Sequence, residues 1–159
     1  MSFNFNEILS VTMVLFAVID ILGSIPIILS LREKVGHIQS EKASVVALLI
    51  MVAFLFAGNS ILKVLGVDVN SFAVAGSIVI FFLALEMILG LHIFKADTPK
   101  TASIVPIAFP IVAGAGTLTS LLSLRAEYAI ENIMVAILIN VALVYFVLKN
   151  TARLGKLLG

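Results

Sequence analysis

The chain has 159 residues, of which 62% are hydrophobic and 12% are charged, with a formal net charge of +1 and no cysteine. Globular domains contain about 45–50% apolar and about 25% charged residues, so this composition indicates an integral membrane protein. The lack of cysteine excludes disulfides, thiolate metal sites and cysteine nucleophiles, and the two histidines, His37 and His92, are too few for a multi-histidine metal site.

The gaps between charged residues predict five membrane spans, at about residues 8–31, 43–62, 69–91, 101–124 and 132–148. Residues 1–7 carry no Lys or Arg, so the first segment lacks the basic start of a signal peptide and is expected to remain as a helix. We interpret residues 1–159 as a single all-α membrane domain, a polytopic transmembrane helix bundle with short polar loops.

The first predicted span is interrupted at Asp20-Ile-Leu-Gly23-Ser24-Ile-Pro26. Asp20 is the thirteenth residue of this 24-residue span, where a charge costs roughly 2.5–3.5 kcal/mol on insertion scales. Such a carboxylate needs a partner, a cavity or a proton. It is predicted to contact Na⁺, H⁺ or a substrate amine, and the alternative is a structural carboxylate that caps the broken helix through Gly23 or Ser24.

The fourth predicted span is interrupted more heavily, by Pro106, Pro110, Gly114 and Gly116. Proline removes an N–H group and glycine adds backbone freedom, so the helix is expected to open here. Open backbone is tolerated in lipid only where it is buried in protein or lines a wet cavity. Two interrupted helices in the two halves of a membrane protein are typical of a transport site.

The order of spans predicts an inverted repeat. Spans one and four both carry the interruption, and a three-span unit must insert its second copy upside down. The second unit then lacks its third helix, so we expect a 3+3 repeat that is truncated at its C-terminal end, with the basic residues 151–159 forming a loop that leads onward. Eight Lys and Arg fall on one side of the membrane and two on the other, which predicts an N-terminus outside the cytoplasm.

Two stretches resemble the motifs of the MarC family of bacterial and archaeal inner-membrane proteins. Residues 18–31 are similar to a first-helix motif Asp-Pro-Leu-Gly-Asn-x-Pro, and residues 106–119 are similar to Pro-Leu-Ala-x-Pro-Leu-x-x-Gly-Pro-Gly. The resemblance covers essentially the whole chain. Three positions depart from it: Ile21 replaces a proline, Ser24 an asparagine and Ala115 a proline, and the first and third changes are expected to soften the breaks.

The resemblance implies six spans, both termini outside the cytoplasm and a relation to LysE-type exporters. It also implies uptake of small neutral amino acids, as reported for some archaeal members, and a location in the bacterial inner membrane. The family's name derives from a locus linked to multiple antibiotic resistance, so a second function stays open. In that case the protein does not transport but acts in a membrane complex or in envelope-stress physiology.

The residues themselves predict a zwitterion site between the two breaks. The half-helix that begins near Gly116 and Thr117 would receive a carboxylate at its N-terminus, and Asp20 would receive an amine or a coupling cation. Hydroxyls beyond the second break add possible ligands, although hydroxyls in membrane helices also serve packing. The predicted substrate- or ion-binding residues are Asp20, Gly23, Ser24, Pro26, Pro110, Gly114, Gly116, Thr117 and Thr119.

Other function classes find little support in the sequence. Asp20 is the only aspartate in mid-span and no histidine lies within a span, so an enzyme is not expected. No catalytic residue, metal site or cofactor is predicted, and coupling to Na⁺ or H⁺ stays open. The basic residues are scattered along loops, so nucleic acid is not an expected partner. The expected partners are the lipid bilayer and a small-molecule substrate, and a homo-oligomer stays open.

Overall fold

The computed structural model describes residues 3–89 and 107–158. Its elements in chain order are α1 (Phe5–Ile19), α2 (Ile25–Val35), α3 (Ser40–Val64), α4 (Val69–Leu89), a π-helical turn (Ile107–Val112), α5 (Ala115–Glu127) and α6 (Ile130–Leu158). Every regular element in these two ranges is helical. The predicted all-α helix bundle is therefore confirmed.

Two of these helices are long and apolar enough to cross a membrane, at Ser40–Val64 and over Ile130–Thr151 of α6, and Phe5–Ile19 is a shorter apolar helix. The first predicted span is indeed two helices, since α1 ends at Ile19 and α2 begins at Ile25. One local prediction is wrong. The basic residues after 150 were expected to form a loop, but α6 continues as a helix through Leu158, because nothing in 149–158 breaks the helical pattern except the single Gly155.

Helices α1 and α6 run parallel and in register. The backbone N–H of Asn4 donates to Oδ1 of Asn132 (3.3 Å), and Nδ2 of Asn140 donates to the backbone oxygen of Thr12 (3.2 Å). Both bonds join residues that are 128 positions apart, as a constant register between two parallel helices requires. Asn140 therefore forms a hydrogen bond between the two helices.

Helix α3 runs antiparallel to α6, because its N-terminal Glu41 lies at Tyr145 whereas Leu48, two turns later, lies near Leu138. On its other side α3 packs against α5. There Gly58 allows close approach, since a Cβ at this position would stand 2.7 Å from Cδ2 of Leu122. The bundle core is thus a seam of α1, α3, α5 and α6, with α4 packed on α5.

Candidate functional site

The first break is caused by the left-handed backbone conformation of Asp20 rather than by a proline kink. Asp20 has φ 43° and ψ 49°, which turns the chain out of α1, and its N–H still donates to the oxygen of Phe16 at 3.1 Å. The carboxylate oxygen Oδ1 of Asp20 accepts from the N–H of Gly23 at 3.2 Å, and the N–H of Ser24 donates to the backbone oxygen of Asp20 at 3.0 Å. Asp20 therefore organises the break while its side chain stays exposed.

The chain resumes at α2 with Pro26 in the first turn, where a missing N–H costs no helical hydrogen bond. Ser24 is the N-cap of α2, but its hydroxyl makes no capping bond. Gly23 and Pro26 are exposed and Ser24 is half-buried. The first break thus leaves a carboxylate and a hydroxyl at an accessible place in the fold.

The second break is wider and buried. Ala113 N–H donates to the oxygen of Ala108 at 2.9 Å across a kink in the chain, because Phe109 between them is extended (φ −145°, ψ 125°). Gly114 is also extended (φ −73°, ψ 172°) and forms the N-cap of α5. The helical path is therefore broken at Phe109 and again at Gly114.

Thr117 closes this second break from within. Its Oγ1 donates to the backbone oxygen of Val112 at 2.9 Å, and the residue is only 2% exposed. The hydroxyl thereby satisfies a carbonyl that the interruption removes from the helical ladder. Because its hydroxyl donates to the backbone of Val112, Thr117 stabilises the break in this structure and does not offer that proton to a ligand.

The two breaks lie close together. A Cβ on Gly116, in the first turn of α5, would stand 3.4 Å from Cγ1 of Val18, two residues before Asp20. One turn earlier on α1, Val14 shares a cavity with Thr119 and Ser123, so α1 and α5 run antiparallel. The C-terminal end of α1 therefore lies beside the N-terminal end of α5.

A cavity of about 350 Å³ lies between α1, α5 and the start of α4. It is lined by Val14, Val69, Asn70, Thr119, Ser120, Ser123 and Leu124. Oγ1 of Thr119 donates to the oxygen of Gly116 (3.0 Å), and Oγ of Ser123 donates to the oxygen of Thr119 (3.2 Å). A hydroxyl that donates in this way keeps its acceptor lone pairs, so the wall can still accept from an amine or coordinate a cation.

Asn70 is the cavity residue that sequence reasoning missed. It lies in the first turn of α4, directly after Asp68, which accepts from the N–H and the hydroxyl of Ser71 at 2.9 and 2.6 Å. The pattern Asp68-x-x-Ser71 is a recognisable helix start and could have placed Asn70 at a helix end. It could not have shown that this end packs against α5.

Two prolines of the second predicted break are outside this description. Pro106 precedes the described part of the break, and the side chain of Pro110 also lies outside the described residues. Within the described ranges no group of three or more His, Asp or Glu side chains could hold a metal ion.

The fold and the site define a class, that of a helical membrane protein in which two interrupted helices meet beside a polar cavity. Within that class the chain belongs to the MarC family of integral membrane proteins, whose family model matches residues 5–159. This confirms the resemblance seen in the sequence.

Curated relatives agree. The chain is 29% identical to the UPF0056 inner membrane protein YhgN of Escherichia coli K12 over 168 aligned positions, covering 97% of this chain and 83% of that protein. It is 33% identical to a UPF0056 membrane protein of Buchnera aphidicola subsp. Schizaphis graminum, covering 80% of this chain, and 35% identical to one of Buchnera aphidicola subsp. Baizongia pistaciae, covering 77% of this chain. The chain spans 64% and 66% of the lengths of these two relatives. No solved structure matches it significantly.

Proposed function

We propose that this protein is a transporter or exchanger of small solutes in the bacterial inner membrane, with small neutral amino acids as its substrates. The carrying observation is that the end of α1, which carries the exposed carboxylate of Asp20, lies beside the first turn of α5, while Val14 and Thr119, about one turn further along the two helices, line a polar cavity. The relatives named as inner membrane proteins support the location.

The charges at this meeting point suit a zwitterion. The first N–H groups of α5 have no intrahelical acceptor and carry the positive end of the helix dipole, so they favour a substrate carboxylate. Asp20 supplies a negative charge for the substrate amine or for a coupling Na⁺ or H⁺. In other transporters with broken helices, half-helix N-termini likewise face anionic substrate groups, and the C-terminal ends of half-helices bind cations.

The shape of the region restricts the substrate. A Cβ at Gly116 would already stand in van der Waals contact with Cγ1 of Val18 at 3.4 Å, so a larger side chain there would crowd the end of α1. The neighbouring Gly114 and Ala115 are small and buried. This leaves space for a backbone-sized zwitterion with a short side chain, such as glycine, alanine or serine. The hydroxyls of Thr119, Ser120 and Ser123 then line a polar path to the site along α5.

The test is uptake or exchange of alanine, glycine and serine by proteoliposomes of the full-length protein. We expect Asp20→Asn and Gly116→Val each to abolish flux at normal protein level and helicity. Glu127→Gln and Ala126→Val are matched controls, because both change exposed residues at the far end of α5 from the meeting of the breaks. Flux retained in both site variants removes the site from this location, and no flux of any of the three by the unaltered protein rejects the proposed substrates.

A further inference from the structure

A second cavity lies in a groove between α3 and α6. Its volume is about 350 Å³, and its wall is mostly apolar, with Val45 and Leu48 on α3 and Leu138 and Ala142 on α6. The polar residues of the wall are Glu41, Ser44 and Tyr145, and all three lie toward one end of the groove. The groove is therefore amphipathic along its length.

The polar end holds two opposite charges around one tyrosine. Nζ of Lys149 donates to the hydroxyl of Tyr145 at 2.7 Å and stands 5.1 Å from the centroid of its ring. The same hydroxyl donates to Oε1 of Glu41 at 3.3 Å. The tyrosine thus separates an ammonium from a carboxylate, and both charged side chains remain exposed.

The depth of this cluster can be measured along α6. Asn132, bonded to Asn4 and to Glu7, marks the other polar end of the bundle. Tyr145 and Lys149 follow it by 13 and 17 residues, or roughly 20–25 Å at about 1.5 Å per residue. A hydrocarbon layer is about 30 Å thick, so clusters with this separation lie near its two surfaces. The groove therefore begins near the headgroups and continues into the acyl region.

The hydroxyl of Ser44, one helical turn after Glu41 on α3, lacks a hydrogen-bond partner among the described residues. Ser44 lines the groove and is only 4% exposed. A buried hydroxyl without a partner is costly, so such an atom points to a missing acceptor.

We propose that the groove binds one zwitterionic phospholipid with a primary-amine headgroup, of which phosphatidylethanolamine is an example. Lys149 pairs with the phosphate, Glu41 accepts from the ammonium, and an acyl chain lies along Val45, Leu48 and Leu138. An ester oxygen, one turn deeper than the phosphate, gives Ser44 its acceptor. This inference does not depend on the proposed transport function.

The two charges also determine which lipids are disfavoured. A quaternary choline headgroup has no N–H to donate to Glu41, and a phospholipid with net negative charge is repelled by that carboxylate. The predicted order of affinity is therefore ethanolamine above choline, and ethanolamine above glycerol headgroups.

The experiment is native mass spectrometry of the full chain in detergent, titrated separately with phosphatidylethanolamine, phosphatidylcholine and phosphatidylglycerol of identical acyl chains. We expect one bound ethanolamine lipid, with about tenfold preference over choline, the size of one charge-assisted hydrogen bond. Glu41→Gln should remove this preference and Lys149→Gln should weaken all three lipids. Glu33→Gln, an exposed carboxylate on α2, is the matched control and should leave the preference unchanged.

A variant of the apolar wall tests the acyl chain separately. Ala142→Phe fills the groove without touching the charges, so it should lower binding of every lipid while circular dichroism stays unchanged. Equal binding of ethanolamine and choline lipids, or an ethanolamine preference that survives Glu41→Gln, overturns the proposal. A dimer that Ala142→Phe disrupts, without selective lipid binding, would assign the groove to a second copy of the chain and also overturn it.

Discussion

The two breaks contain similar residues but differ in burial and in what closes them. The first break is exposed and is closed by a carboxylate, since Asp20 accepts from Gly23 and its own backbone turns left-handed. The second break is buried and is closed by a hydroxyl, since Thr117 donates to Val112. Gly and Pro residues therefore mark where a membrane helix opens. The burial of the opening and the group that closes it decide whether polar atoms remain for a ligand.

This difference assigns unequal tasks to the two breaks. At the first, one exposed side chain both shapes the backbone and offers a charge. At the second break, the hydroxyl of Thr117 is bonded to the backbone of Val112. Only the backbone N–H groups at the start of α5 are then left to bind a ligand. Variants that separate shape from charge can therefore test each break by itself.

The largest effect is expected from Asp20→Gly. A left-handed residue costs L-amino acids roughly 1–2 kcal/mol, which glycine avoids, so the free energy of unfolding should stay equal or rise even though the bond to Gly23 is lost. Solute flux should nevertheless disappear, because the charge is gone. Denaturation midpoints and proteoliposome uptake measure the two effects. Asp20→Ala, which keeps the Cβ, should be the less stable variant, and normal flux in Asp20→Gly would reduce Asp20 to a structural cap.

A second prediction concerns the buried break. Thr117→Val keeps the shape and removes the donor to Val112, so the free energy of unfolding should fall by about 1–3 kcal/mol, the cost of a buried carbonyl without a partner. Thr117→Ser retains the hydroxyl and should lose less. Thr119→Val serves as the comparison, because Thr119 is half-buried and bonds within its own helix. Equal losses at 117 and 119 would show that Thr117 does not close the break.

The smallest effect is a pH dependence at the start of α4, beside the cavity. The hydroxyl and N–H of Ser71 donate to Asp68 and hold the pKa of its carboxyl below the ordinary value. The charged form is therefore favoured in the folded state. Its contribution to stability is present above the unfolded pKa of about 4 and is lost as the pH falls through the lower folded pKa.

Thermal denaturation between pH 6 and pH 3 checks this. The advantage of the unaltered protein over Asp68→Ala should shrink below about pH 4, and it should be reduced by salt because the residue is exposed. Asp68→Asn, a neutral cap, should show no such trend relative to alanine. A pH-independent advantage of Asp68 would contradict the assignment.

Sequence reasoning located the breaks because their cause is local. The preferences of Gly, Pro and an Asp in mid-span act within one turn, so Asp20–Pro26 and Gly114–Thr117 could be identified without any partner. The five predicted spans follow from hydropathy for the same reason, and the structure places helices α3, α4 and α6 over three of them.

The remaining features depend on which helix faces which. The cavity wall at Asn70, the approach of Val18 to Gly116 and the bond from Arg125 to the backbone oxygens of Leu55 and Phe56 all join distant segments. Hydropathy gives the membrane segments but not their relative rotation. Thr117 shows the limit most clearly, because the same hydroxyl can face a ligand or its own backbone, and only the path of residues 107–114 decides between them.

The constant register between α1 and α6 has a consequence for synthesis. Thr12 receives the amide of Asn140, and Asn4 and Glu7 are bonded by Asn132, so the contacts that fix α1 come from the last described helix. A ribosome must therefore add more than 120 residues after Asn4 before these partners exist. Contacts of such large sequence separation form late. Helix α1 is therefore synthesised first but gains its hydrogen bonds to α6 last. During that interval a 15-residue helix with a carboxylate at its end depends on the insertion machinery and the surrounding lipid to hold its place.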